Sequence, residues 1–203
     1  SGNDAALAVA GECGGEEAFV AAMNEKARQL GLPHTHFENP NGLDGENHHT
    51  TARELARLTA YAMQNEIFRE IVSTERRQVG ERTMVNHNKL LWRLEGADGV
   101  KTGYTKAAGR ILVSSAIRDG RRLICVTINA PEDWQDHTAL LEEGFTRYNV
   151  QRIVTKGDYV ADLEVVGSGG GRVRVLTDSD FVYSIAPEET PQRMVPGPGF
   201  VYA

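Results

Sequence analysis

The sequence predicts a mixed α/β (α+β) chain, with helices around a partly antiparallel sheet and a small all-β module after it. Three observations carry this expectation. Ile111 to Ile117 and Arg121 to Asn129 are β-branched runs joined across Asp119-Gly120, a strong hairpin signal. Glu16 to Leu30 and Trp134 to Tyr148 place apolar residues at helical spacing. Near residue 150 the pattern changes to short alternating runs separated by turn formers.

Phe19, Val20, Met23, Ala27 and Leu30 share one face of the first of these helices, and Gly31 fits its stop. Thr51 and Glu54 form an expected capping box ahead of Leu55, Leu58 and Ala62. Asn65 is suited to cap a short helix holding Ile67, Phe68 and Ile71. Residues 32 to 50 read as loop, rich in Pro, Asn-Gly and Asp-Gly turns. Thr74 to Val79 is a candidate strand. In the later module the expected strands are Ile153-Val154, Tyr159 to Val166, Arg172 to Leu176 and Phe181 to Ile185. Gly167 to Gly171 is a separator, and the tail from Pro187 is rich in Pro and Gly. The expected domains are 1–149 and 150–203.

The 203 residues, 40% of them apolar, suffice for one large domain or two small ones. A formal net charge of -6 argues against holding nucleic acid through phosphate contacts. Cys13 and Cys125 are too few for a disulfide framework, and Cys125 reads as a small buried hydrophobe. No run of 18 or more apolar residues is present. The start on Ser1-Gly2-Asn3-Asp4 carries no secretory signal and reads as a cut in a longer precursor.

His34-x-His36 and His48-His49 raise a metal site, but no Cys or helical H-x-x-x-H accompanies them. No metal or cofactor is expected. The six histidines read instead as exposed or hydrogen-bonded. Trp134 fits either a packing role or the border of a groove. The Arg118 to Arg122 cluster reads as a solvated face.

Two short motifs stand apart: Ser1-Gly2-Asn3 and Lys101-Thr102-Gly103. Each tripeptide alone is weak evidence. Together they match two of the three motifs of penicillin-binding proteins and β-lactamases, S-x-x-K, S-x-N and K-T-G. Phe37 to Asp44, His49 to Ala56, Ala22-Met23-Asn24 and Leu30-Gly31-Leu32 extend the match in order. The chain resembles the low-molecular-mass D-alanyl-D-alanine carboxypeptidases, peptidase family S11, over residues 1 to about 148. The resemblance implies the penicillin-binding/β-lactamase-like transpeptidase fold, with the β-rich module as the family's extra C-terminal domain.

The chemistry gives these residues reasons. Acyl transfer needs a nucleophile, a base and oxyanion donors. The Lys101 ammonium would orient and polarise a serine hydroxyl. Gly103 would let an extended peptide lie along the strand as an added strand. By resemblance, the Tyr104 N–H is an oxyanion donor. Thr102 and Thr105 suit the substrate's terminal carboxylate, Ser1 relays a proton, and Asn3 bonds the substrate amide. The implied ligands are peptidoglycan stem peptides ending in D-Ala-D-Ala, and β-lactams.

One departure stands out. No Ser-x-x-Lys occurs in these residues. The acylating serine is therefore expected on an N-terminal fragment of the same precursor, present as a second polypeptide. Without that fragment's strands, the hairpin at 111 to 129 should expose an unpaired edge. The resemblance places the protein outside the cytoplasmic membrane, peripherally membrane-associated in its full length. Two other classes remain open: a non-catalytic peptidoglycan-binding or scaffolding fragment, and an acyl transferase using Ser1 as an N-terminal nucleophile.

Overall fold

Small residues build the first element. Helix α1 (Asn3–Glu12) is alanine-rich, with good intrinsic propensity but almost no apolar stripe, so periodicity does not reveal it. Helix α2 (Glu16–Gln29) stops as expected at Gly31, whose φ is +66°. The Leu32 N–H bonds the Ala27 carbonyl and the Gly31 N–H bonds that of Arg28, a Schellman end with Ala27 and Leu32 both buried. The computed structural model describes residues 1–166, 170–190 and 200–202.

Helix α3 (Ala52–Ala62) is capped by Thr51, whose hydroxyl accepts from the Glu54 N–H at 3.2 Å. The reciprocal half of the expected capping box is absent. The Glu54 carboxylate turns instead to the His34 N–H and the Thr35 hydroxyl, tying the preceding loop to the helix. Helix α4 (Glu66–Ser73) takes its cap from Asn65, as its sequence suggests. Strands β1 (Arg76–Val79) and β2 (Arg82–Val85) form an exposed hairpin, and one turn of helix, α5 (Leu90–Arg93), follows.

The central sheet is antiparallel, in the order β3 (Ala97–Thr105), β4 (Gly109–Arg118), β5 (Arg121–Ile128). Asp119 and Gly120 both have positive φ, the conformation a type I′ hairpin requires. Leu112 to Ala116 of β4 are buried on both faces. Among the described residues β3 and β5 each pair on one side only, leaving the expected free edge on β5 and a second on β3.

Helix α6 (Asp133–Arg147) lies against one face of this sheet through His137. This histidine is fully buried, and of the two expected states, exposed or hydrogen-bonded, it takes the second. It meets the Ser114 hydroxyl through Nδ1 at 2.5 Å and the Thr127 hydroxyl through Nε2 at 2.9 Å. A neutral imidazole has one donor and one acceptor nitrogen, and hydroxyls serve either. Arg118 and Arg122 also depart from a simply solvated face. Arg118 pairs with Glu142, and Arg122 with Asp98 and the buried Ser115 hydroxyl.

The chain divides into two compact units, Ser1–Glu142 and Glu143–Ala203, the division falling within α6. In the second unit β6 (Asn149–Val154) pairs antiparallel with β9 (Phe181–Ile185). There β7 (Tyr159–Val166) pairs antiparallel with β8 (Arg172–Leu176) and parallel with β10 (Phe200–Tyr202). Residues 167–169 of the Gly-rich separator and 191–199 of the tail lie outside the described residues. Among the described residues no helix is long and apolar enough to cross a membrane.

Burial pushes the His137 pKa down to about 4 from the ordinary 6.5, against the opposing pull of Asp133 and Asp136. The native state thus resists a proton that the unfolded chain accepts. The stability this neutral ring contributes is fully present above pH 6.5 and is lost as pH falls towards 4, by about 3 kcal/mol at the acid end. Urea unfolding across that range should show the slope, and His137→Gln should flatten it.

Candidate active site

The register of β3 decides which side chains can meet. Lys101 lies opposite Val113, Gly103 opposite Ile111 and Thr105 opposite Gly109. Side chains alternate along a strand, so Lys101, Gly103 and Thr105 share one face, and Thr102 and Tyr104 the other. All five, with Ser1 and Asn3, line one cleft of about 720 Å³ that includes the free edge of β3. Every site residue the sequence singles out therefore gathers in one place.

The Lys101 ammonium donates to the Ser1 hydroxyl at 2.8 Å, across 100 residues of chain, and also to the Thr102 carbonyl. Although the Lys101 side chain is exposed as a whole, partial burial of its ammonium lowers the pKa. Ser1 sits just before α1, and Asn3 is that helix's first residue. The positive end of the helix and the ammonium thus both favour negative charge developing at the Ser1 oxygen. Since Lys101 donates, the Ser1 proton is free to point into the cleft.

Gly103 has no steric duty within the chain. A Cβ there would meet only Ile111, at an ordinary 3.8 Å. The space its missing side chain leaves opens into the cleft. Thr105 is fully committed: its hydroxyl donates to Asp44 at 2.6 Å and accepts from the Ala108 N–H at 3.0 Å.

The opposite wall is the loop from Phe37 to Thr50, and several side chains fix its shape. The Asn24 amide makes two 2.8 Å bonds to the Phe37 backbone. His36 and His49 pair as an isolated bridge, and the Thr35 and Thr50 hydroxyls meet at 2.9 Å. Burial at Glu54 opposes ionisation, yet the hydrogen bonds from Thr35 and His34 prevail and hold its pKa below the usual value. His48 lines the cleft with its pKa lowered mainly by burial, its Nδ1 accepting from the Glu38 N–H.

Sequence reasoning missed His87 and Arg110, which also line the cleft. Arg110 grips Asp133 with two bonds, at 3.1 and 3.0 Å, and lies over the Trp134 ring. Its position opposite Tyr104 was the available signal, since a hairpin turn at Gly109 places residue 110 beside the K-T-G strand. Trp134 does border the cleft.

The site thus sets a lysine-held serine hydroxyl beside the free edge of an antiparallel sheet. A family model described as D-alanyl-D-alanine carboxypeptidase, peptidase S11, matches residues 1–132. The chain belongs to this family. It is 39% identical over 157 residues to the D-alanyl-D-alanine carboxypeptidase DacB2 of Mycobacterium tuberculosis, covering 71% of this chain and 54% of that protein. It is 35% identical over 174 residues to DacF of Bacillus subtilis, covering 81% and 45%. Among solved structures, penicillin binding protein 5 of Haemophilus influenzae superposes on all of this chain and 62% of its own, with a TM-score of 0.84 at 28% identity. The chain spans about half the length of the curated relatives it matches.

Because burial rather than the Ser1 hydroxyl lowers the Lys101 pKa, Lys101 should titrate below 10.5 in the wild type and remain lowered in Ser1→Ala. Carbon-13 shifts at the lysine Cε measure this directly. The hydroxyl accepts from the ammonium and so favours its charged form, so a return to 10.5 in the variant would show that burial is not the cause.

Proposed function

We propose that this chain supplies the substrate groove and proton relay of a serine-type D-Ala-D-Ala carboxypeptidase acting on peptidoglycan stem peptides. The observation that carries the reading is the Lys101–Ser1 hydrogen bond beside an unpaired strand edge. Membership of the S11 family supports it.

In this reading the stem peptide adds to the free edge of β3, over Gly103. A serine from the Ser-x-x-Lys motif attacks the carbonyl of the penultimate D-alanine. The Tyr104 N–H and that serine's own N–H receive the oxyanion. Ser1, held by Lys101, relays the proton released by that serine to the nitrogen of the departing D-alanine as the C–N bond breaks. Water then hydrolyses the ester and regenerates the serine. Asn3 bonds the substrate amide and Thr105 serves its terminal carboxylate, whereas the Thr102 side chain lies on the opposite face of β3. A β-lactam presents a strained amide to the same groove and acylates the same serine.

No Ser-x-x-Lys lies within the 203 residues. The nucleophile is accordingly assigned to an N-terminal segment of the same precursor, joined or held as a second polypeptide. The chemistry belongs to 1–149, and the module at 150–203 takes no part in it. The site of action is outside the cytoplasmic membrane, where stem peptides are found, with the full-length protein peripherally attached.

Labelled penicillin tests this. Label should appear only when the N-terminal segment accompanies this chain, and it should reside on that segment. Lys101→Ala should slow acylation about a hundredfold or more, the scale of losing one electrostatic stabiliser at a reacting centre. Label on Ser1 of the isolated chain would make Ser1 the nucleophile. Absence of label from the complete assembly would leave a non-catalytic binding module.

Gly103→Ala separates fold from function. Thermal stability should be unchanged, because the added Cβ meets only ordinary contacts. Acylation should fall, because that methyl occupies the peptide's path. A lowered melting temperature would show that Gly103 serves the fold.

A further inference from the structure

Thr105 is the cleft-facing hydroxyl on the same side of β3 as Lys101, and its single proton already has a taker. The acceptor is a carboxylate, that of Asp44, at 2.6 Å. The remaining contact of the hydroxyl is an acceptance from the Ala108 N–H. In this arrangement Thr105 has no proton to offer a second carboxylate. A ligand carboxylate arriving there would also meet the negative charge of Asp44.

Asp44 is held there by a shaped turn. The Asn39 side chain accepts from the Gly42 and Leu43 N–H groups and donates to the Leu43 carbonyl. Gly42 adopts a φ of +82°, which this turn requires. The Asp44 side chain is exposed, so leaving Thr105 would return its carboxylate to water rather than strand it in the core.

We propose that Asp44 is a specificity-determining residue that acts as an internal stand-in for the ligand's carboxylate. A peptide with a free C-terminal carboxylate docks on Thr105 only by displacing Asp44, whereas a peptide lacking that charge gains nothing from the displacement. The inference rests on the reading of Thr105 as the carboxylate-binding hydroxyl. It adds that this subsite is occupied by the protein's own side chain when no ligand is bound.

The test is a titration of the 203-residue chain with N-acetyl-D-alanine, followed through the Ala108 amide resonance. Asp44→Ala should bind the acid about five- to tenfold more tightly than the wild type, the scale of one net hydrogen bond. Asp44→Asn, which keeps an acceptor without the charge, should fall between. N-acetyl-D-alaninamide should show no gain in either variant, and Thr105→Val should abolish the response to the acid. Equal or weaker binding of the acid by Asp44→Ala, including no response in either protein, overturns the proposal. So does an equal gain for the amide. Equal gains for N-acetyl-D-alanine and its L-isomer would leave the competition standing while removing the D-alanine reading of the cleft.

Discussion

Lys101 reaches Ser1 because β3 is held in one register against β4. That pairing places Lys101 opposite Val113 and Thr105 opposite Gly109, and so sends both side chains to the face where Ser1 lies. A slip of one residue would turn Lys101 away and present Thr102 and Tyr104 in its place. The register is secured from the far side of the sheet. Strand β4 is buried on both faces, and its own hairpin with β5 is set by the two positive-φ residues of the Asp119-Gly120 turn. The chemistry of the cleft is thus anchored by β4 and β5, which themselves line it only at Arg110, Ile111 and Ile128.

Buried polar groups reinforce this arrangement. His137 joins β4, β5 and α6 through two hydroxyls, and burial keeps it neutral. Glu54 ties α3 to the loop that forms the facing wall. Arg122 binds Asp98 on β3 and Ser115 on β4, crossing the same strand pair that carries the site. Each of these groups has a directional partner, and directional bonds specify geometry more sharply than apolar contact does. The wall and the strand meet where Thr105 donates to Asp44, so the loop and the K-T-G strand are coupled at the cleft itself.

Much of this was readable in the sequence, for local reasons. The Schellman stop at Gly31, the Asn65 cap and the Asp119-Gly120 hairpin are each encoded within a few residues. Helix α1 was not readable, because an alanine-rich helix has no contrasting faces. Strand β1 falls within the expected Thr74 to Val79, but its partner β2 escaped, since the hairpin is exposed on both sides and shows no alternation. Glu54 was misread as half of a capping box. Its spacing from Thr51 is right, but the partners that claim its carboxylate lie 19 and 20 residues upstream.

By itself the sequence determined the residue types of the site, their order, and the family to which the chain belongs. Those follow from motifs whose chemistry is written in adjacent letters. Only the tertiary structure decided that Ser1 and Lys101 touch, that Arg110 is bound to Asp133, and that the Thr105 proton is held by Asp44. These contacts join residues 100, 23 and 61 positions apart. No local pattern encodes such a pairing. It depends on strand register and on how a loop is pinned, and both are set by the packing of the whole unit.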